Sequence, residues 1–248
     1  MKEVFFHPES AEIVKALDEI ARRHSGRERV FDDFLTMTVC ALAGGTREEE
    51  YLATVQPYCA GEKAMREADR IAALFARLVE VMDETRMDIL GDVFQAAITR
   101  GQNGQYLTPD PLCELMAQMT GAEGETVSDP CCGSGRLLLA AARQNRNRYF
   151  VGQDIDHRCV KITAINLALW NLYGRVIWGN TLTNEVRRVY HTGFNGTGVI
   201  RVEEPTAPAP SGPCMPPEGV PPPGSDPAPE PSEPRPPRQR SLFDEETS

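Results

Sequence analysis

The chain has 248 residues, 41% of them apolar, which is enough for one domain with a smaller companion domain. Its formal net charge is −10, and only residues 127–202 contain more basic than acidic residues. The 7 cysteines form no C-x-x-C pair, no stretch approaches the ~20 apolar residues of a membrane span, and residues 1–10 lack a signal-peptide core. These features exclude a disulfide scaffold, a zinc module and a membrane protein, and they predict a reduced, cytoplasmic protein without a metal site.

The first hundred residues are predicted to form a helical N-terminal region, residues 1–100. Apolar side chains recur there at helical spacing, behind polar residues typical of helix starts. Ser10 is expected to cap the first helix, and Thr46 and Glu49 have the spacing of a capping box. The predicted helices run over residues 10–23, 31–43, 46–56 and 62–84, and from 87 to the glycine loop at 101–104.

Beyond this loop, short β-like segments alternate with helical ones. Strands are predicted over residues 125–128, 149–153 and 176–178, and helices over 108–119, 135–145 and 156–172. This β-α-β-α-β order predicts an α/β fold with a parallel, doubly wound sheet. Residues 186–192 and 198–202 are expected to close the sheet as a hairpin.

The C-terminal tail differs from both regions in composition. Most of the 20 prolines lie between Pro205 and Pro237, where the sequence offers few bulky apolar residues. Such a stretch cannot supply a core. A disordered, Pro-rich linker is therefore predicted over residues 204–238.

The basic segment has two interpretations, which the sequence leaves open. Its cations could form a solvated helix face, or they could line a surface that faces phosphates. The residues concerned are Arg136, Arg143, Arg146, Arg148, Arg158, Lys161, Arg175, Arg187 and Arg188.

Three polar features follow the three predicted strands. Two glycines end the loop Asp129-Pro-Cys-Cys-Gly-Ser-Gly135, where backbone N–H groups can approach a ligand. Asp154 follows the second strand and could accept both hydroxyls of a ribose, and Asn180 follows the third and could read a purine edge. Leu138 stands where a dinucleotide fingerprint needs its third glycine. The features predict a nucleotide-like ligand at the carboxyl edge of the sheet.

With the segment Gly104-Gln-Tyr-Leu-Thr-Pro109, these features resemble the S-adenosylmethionine-binding half of adenine-N6 DNA methyltransferases, particularly the modification subunits of type I restriction systems. The resemblance covers about residues 87–182 and implies S-adenosylmethionine as the cofactor. It implies contacts from the segment to the methionine moiety, from Asp154 to the ribose, and from Ile155 and Asn180 to the adenine. The implied cofactor-binding residues are Tyr106, Thr108, Pro109, Asp129, Pro130, Cys131, Gly133, Gly135, Asp154, Ile155 and Asn180.

The resemblance also implies a Rossmann-like methyltransferase sheet, and residues 101–203 are too few for a complete one. We therefore expect a partial sheet with an open edge, which the N-terminal helices could cover. Related modification subunits also carry an N-terminal helical domain.

The catalytic motif of that family, [DN]-P-P-[FYW], is not found in these 248 residues. The Pro-Pro pairs follow Met215, Val220 and Arg235 instead, so the catalytic residues stay unknown. Three hypotheses compete. The first is a DNA adenine methyltransferase whose partner chain, a catalytic or specificity subunit, completes the site. The second is an inactive cofactor-binding adaptor or regulator on DNA or at the sliding clamp, and the third is a methyltransferase acting on another substrate.

The last ten residues, 239–248, carry the sequence Gln239-Arg-Ser-Leu-Phe243. It resembles the bacterial sliding-clamp-binding pentapeptide, in which a Leu-Phe pair enters an apolar groove. A long linker would raise the local concentration of the chain at the clamp. The sequence therefore suggests the sliding clamp as a partner through Gln239, Leu242 and Phe243, with a chance match as the alternative.

Overall fold

The computed structural model describes residues 4–24, 26–99, 105–121, 123–194, 196 and 198–204. The predicted clamp peptide and all of the predicted linker except its first residue lie outside the described residues. Within them, no helix is both long enough and apolar enough to cross a membrane.

The N-terminal region is helical, as predicted. Its longest helix, α4, buries Ile71, Leu74, Leu78 and Val81 on one stripe, because these residues recur every three or four positions. A π-helical turn, Phe94–Thr99, follows α5 directly. The helices are α1 (Ser10–Ala21), α2 (Arg27–Leu42), α3 (Glu48–Val55), α4 (Glu67–Thr85) and α5 (Ile89–Val93), with a 3-10 turn at Gln56–Tyr58.

Two predicted helix starts are wrong. Ser10 is the first residue inside α1, and Glu9 takes the cap position without a side-chain cap bond. Thr46 donates its hydroxyl to the carbonyl oxygen of Ala43 at 2.9 Å, so it belongs to the turn that ends α2. Helix α3 begins two residues later, after Arg47, and the capping box does not form.

The second region is an α/β unit with a five-stranded sheet in the order β1-β2-β3-β4-β5. Strands β1 to β3 are parallel, and β4 and β5 form the predicted antiparallel hairpin. The elements are α6 (Asp110–Thr120), β1 (Thr126–Asp129), α7 (Arg136–Gln144), β2 (Tyr149–Asp154), α8 (His157–Leu169), β3 (Gly174–Asn180), β4 (Glu185–Thr192) and β5 (Ile200–Glu203).

The sheet is not doubly wound, which corrects that part of the prediction. Strands β1, β2 and β3 are added in one direction, and the crossover helices α7 and α8 both pack into the main core on one face of the sheet. Phe150 and Val176 pack on that face into the main core. The opposite face carries a small apolar cluster of Tyr149, Val151 and Ile177.

The N-terminal helices form a third layer on top of α7 and α8, and the main core includes side chains from both regions. Helix α2 packs on α8, where Lys161 donates to Asp32 at 2.7 Å and to Thr36 at 2.8 Å. The amide of Val199 donates to the carbonyl oxygen of Leu42, which ties the hairpin to the same helix. The helical region therefore covers the crossover helices and the hairpin.

The edge of the sheet at β1 is open among the described residues. Strand β1 pairs with β2 and packs on α7, and Ser128 is exposed. Helix α6 precedes this strand in the chain. The outer side of α6 carries an exposed apolar stripe at positions i, i+3, i+4 and i+7, formed by Leu112, Leu115, Met116 and Met119.

Candidate functional site

The carboxyl ends of β1, β2 and β3 meet at one edge of the sheet and are bonded together. The amide of Cys132 donates to the carbonyl oxygen of Gln153 at 2.9 Å, and the amide of Gly133 donates to the carboxylate of Asp154 at 2.9 Å. The hydroxyl of Thr181 donates to the carbonyl oxygen of Pro130 at 2.7 Å. The loop after β1 is therefore fixed to the ends of both neighbouring strands.

The two glycines of this loop are required by its geometry. Gly133 and Gly135 have φ of +54° and +85°, in the left-handed region that disfavours side chains. A Cβ on Gly133 would lie 2.7 Å from Leu107, and one on Gly135 would lie 2.9 Å from Thr163 of α8. The loop thus packs closely against residues 105–109 on one side and α8 on the other.

Residues 105–109 form a strap over the loop, held at two points. The amide of Leu107 donates to the side-chain oxygen of Gln95 at 3.0 Å. The side-chain amide of Gln105 donates to Asp156 at 2.9 Å, and Tyr106 remains 75% exposed. Gln95 lies in the π-helical turn, a type of helix irregularity that often occurs at functional sites.

A pocket opens between the strap and the loop, and half of its lining consists of residues that the sequence singled out. The predicted residues in it are Tyr106, Thr108, Asp129, Cys131 and Gly133, and the remaining ones are Leu107, Cys132, Ser134, Arg136 and Leu137. Pro109 and Gly135 are the N-cap residues of α6 and α7, and Pro130 accepts the bond from Thr181. Asp154, Ile155 and Asn180 lie outside this lining, at the adjacent strand ends.

The site contains two carboxylates whose charge is disfavoured by burial. Burial raises the pKa of both Asp129 and Asp154, and backbone N–H bonds only partly offset this effect. One oxygen of Asp154 accepts from Gly133, and the other accepts from the amide of Asp156 at 2.9 Å. Because each carboxylate oxygen has two lone pairs, Asp154 can accept further hydrogen bonds from a ligand.

Asp156, two residues further along, behaves differently. Burial acts to raise its pKa, but hydrogen bonds from Arg158 and Gln105 outweigh that effect, and the pKa is lowered. Asp156 also caps α8 by accepting from the amide of Arg158. It is therefore a charged anchor for the strap and the helix.

The ends of β2 and β3 present an exposed apolar residue beside an amide. Ile155 is 60% exposed, and its carbonyl oxygen accepts from the indole N–H of Trp178 at 3.1 Å. The Trp178 ring stacks on His157 with centroids 4.0 Å apart, and Arg187 lies over the Trp178 ring at 5.4 Å. Asn180 accepts from the amide of Leu182 at 3.0 Å, which fixes its side chain at the turn.

Most of the basic residues of segment 127–202 form hydrogen bonds within the chain. Eight of the nine between Arg136 and Arg188 donate to a carboxylate or a backbone carbonyl within the chain. Arg136 and Lys161 are buried, and Arg148 donates to the carbonyl oxygen of Glu123 at 2.9 Å. These cations therefore make contacts within the fold in addition to any contact with solvent.

Comparisons with known proteins match this part of the chain. Residues 85–194 match the model of the family described as N-6 DNA Methylase. The type I restriction enzyme MjaVIII methylase subunit of Methanocaldococcus jannaschii is 28% identical over 127 residues, which are 46% of this chain and 22% of that protein. The MpnII methylase subunit of Mycoplasma pneumoniae is 27% identical over 124 residues, 43% of this chain and 23% of that protein.

The chain thus covers about a fifth of the length of these curated relatives. Among solved structures, a putative class I S-adenosylmethionine-dependent methyltransferase from Listeria monocytogenes aligns with a TM-score of 0.41 and 16% identity. The alignment covers 71% of this chain and 55% of that one.

Proposed function

We propose that this chain, whose residues 85–194 match the N-6 DNA methylase family, binds S-adenosylmethionine as part of an adenine-N6 DNA methyltransferase. The observation that carries the proposal is the bonded arrangement of Gly133 and Asp154 beside the pocket under the strap. All of these residues lie within the matched segment. In this proposal residues 101–203 hold the cofactor, and residues 1–100 support them.

The residues present fit such a cofactor. The strap residues Tyr106, Thr108 and Pro109 would contact its methionine moiety, and the backbone of the loop would lie against it. Asp154 would accept the ribose hydroxyls, while Ile155 and Asn180 would contact the adenine. When bound, S-adenosylmethionine supplies an electrophilic methyl group.

We further propose that methyl transfer to DNA needs a partner chain that carries the [DN]-P-P-[FYW] motif. These 248 residues do not contain it. The structure has an open sheet edge at β1 and an exposed apolar stripe on α6, and both features are typical of surfaces that other polypeptides cover. Such a partner would extend the sheet next to the loop.

An alternative function, an inactive adaptor at the sliding clamp, is favoured by one sequence observation, the Gln239–Phe243 peptide. If this function applies, Leu242→Ala with Phe243→Ala abolishes capture of the chain by immobilised clamp. Unchanged capture would remove the alternative.

Calorimetric titration with S-adenosylmethionine tests the proposal directly. The wild-type chain is expected to bind saturably, and Asp154→Ala is expected to lose binding. Asp83→Ala is a matched control, since Asp83 is exposed and pairs only with Arg86 among the contacts that the described residues show. Absence of binding by the wild-type chain, or equal binding by Asp154→Ala, would contradict the proposed site.

A second assay separates cofactor binding from methyl transfer. With labelled S-adenosylmethionine and duplex DNA, the chain alone is expected to transfer no methyl group to adenine. Transfer by the isolated chain would refute the need for a partner while leaving the cofactor site in place.

A further inference from the structure

The carboxylate of Asp88 lies behind the Gly133–Gly135 loop, and its side chain is only 1% exposed. It caps α5 by accepting from the amide of Gly91 at 2.8 Å. It also accepts from Asn166 of α8 at 2.7 Å, from Arg136 of α7 at 2.8 Å, and from the hydroxyl of Ser134 in the loop. A single carboxylate therefore joins an N-terminal helix, both crossover helices and the loop.

The packing around Asp88 leaves no room for a side chain at Gly91. A Cβ on Gly91 would lie 1.9 Å from the carboxylate of Asp88 and 2.5 Å from the hydroxyl of Ser134. The side-chain amide of Asn166 also donates to the carbonyl oxygen of Ser134 at 2.9 Å. Ser134 is thus held through both its hydroxyl and its backbone.

The same network reaches the strap. Arg136, which Asp88 holds, donates its Nη1 to the carbonyl oxygen of Thr108 at 3.5 Å. Ser134, Arg136 and Thr108 all line the pocket, whereas Asp88 does not. Both walls of the pocket are therefore connected to a group that would not touch a ligand in it.

We infer that Asp88 is a positioning residue that sets the conformation of the Gly133–Gly135 loop and, through Arg136, of the strap. The expected effect of Asp88 on cofactor affinity rests on the proposed function, whereas its effect on the conformation of the loop does not. It gives the N-terminal helices a role in the site, since α5 carries the carboxylate. Charged hydrogen bonds of this kind hold a loop more firmly than neutral ones.

The chain provides a matched control in Asp92, on the same helix. Asp92 is fully buried and accepts from the amides of Phe6 and His7 at 3.1 and 3.0 Å. It holds the first described residues of the chain and makes no hydrogen bond to the loop among the described contacts. Asp88→Asn and Asp92→Asn both remove a buried negative charge, so both are expected to lower the melting temperature.

Two measurements distinguish positioning from general destabilisation. In NMR spectra without cofactor, the amide resonances of Gly133 and Gly135 are expected to shift in Asp88→Asn and to stay in place in Asp92→Asn. In calorimetry, Asp88→Asn is expected to bind S-adenosylmethionine about tenfold more weakly than Asp92→Asn, as the loss of a charged hydrogen bond predicts. Loop resonances that do not move, or that move equally in both variants, would overturn the inference.

The NMR and calorimetric measurements also distinguish a failure of this inference from a failure of the proposed function. If the wild-type chain does not bind the cofactor, a selective shift of the loop resonances still supports positioning by Asp88. If Asp88→Asn does not fold, Ser134→Ala takes its place, because it removes only the hydroxyl bond to Asp88. Because a substitution at residue 134 shifts the resonances of its two neighbours directly, the readout for this variant is hydrogen exchange at the amide of Gly133, which donates to Asp154. Faster exchange in Ser134→Ala than in the wild type would support the inference, and an unchanged rate would contradict it.

Discussion

The carboxylate of Asp154 is subject to two opposing effects. Its burial at the edge of the sheet raises its pKa, whereas in the proposed function it accepts hydrogen bonds from ribose hydroxyls, which an ionised carboxylate does most strongly. Its two backbone partners, Gly133 and Asp156, favour the ionised form but do not restore an ordinary pKa. Protonation therefore competes with cofactor binding at a higher pH than it would for an exposed aspartate.

This conflict predicts a pH dependence of cofactor affinity. As the pH falls, Asp154 gains a proton above the ordinary aspartate value of 3.8, and the affinity for S-adenosylmethionine is expected to decline from that point. Asp154→Asn is expected to bind weakly at neutral pH and to lose most of the pH dependence. Calorimetry between neutral and mildly acidic pH checks this, and a variant whose affinity falls with pH as steeply as the wild type would assign the titration elsewhere.

The same residues show what the sequence could and could not reveal at this scale. Asp154, Asn180 and the glycine loop could be placed together because parallel strands end at one edge. Asp88 and Gln95 could not, because their partners lie in other elements and no local spacing marks them. Asp88, for example, contacts Asn166, 78 positions further along the chain.

Among the elements, the strap depends on a helix irregularity. The π-helical turn at Phe94–Thr99 carries Gln95, whose side-chain oxygen accepts from the amide of Leu107. Gln95→Ala would leave that amide without its acceptor, so the strap is expected to loosen while the core remains intact. Removing one hydrogen bond of this kind costs about 1 kcal/mol.

The expected result for Gln95→Ala is cofactor binding a few-fold weaker, with faster hydrogen exchange at Leu107 and an almost unchanged melting temperature. Gln118→Ala makes the same chemical change at an exposed position of α6 and should behave as the wild type. Equal exchange rates at Leu107 in the two variants would show that Gln95 does not anchor the strap.

The elements themselves were largely predictable, and their ends less so. Helix and strand types follow from the spacing of apolar residues, which tertiary packing preserves in α4 and in β1 to β3. The predicted helix starts at Ser10 and Thr46 were wrong because a cap depends on a single side-chain hydrogen bond. The hydroxyl of Thr46 donates to the preceding carbonyl oxygen of Ala43 instead. The one-sided placement of α7 and α8 depends on strand order, which element order alone does not specify.

At the scale of the whole molecule, the net charge and the ion pairs together predict how strongly the chain binds DNA. The net charge is −10, and eight of the nine basic residues from Arg136 to Arg188 already donate to acceptors within the chain. Few cations are then available to displace counterions from phosphates, which is the main source of non-specific affinity. In the proposed function, a partner chain would then supply most of the contacts to DNA.

The isolated chain is therefore expected to bind duplex DNA weakly, with a shallow dependence on salt. Fluorescence anisotropy of a labelled duplex at several salt concentrations measures both. Glu185→Gln is an informative variant, because Glu185 holds the partly exposed Arg187 at 2.9 Å and its neutralisation would release one cation. If released Arg187 contacts a phosphate, the salt slope should steepen by about one ion. Tight, steeply salt-dependent binding by the wild-type chain would show instead that its ion pairs open on DNA, and that this chain itself carries the DNA-binding surface.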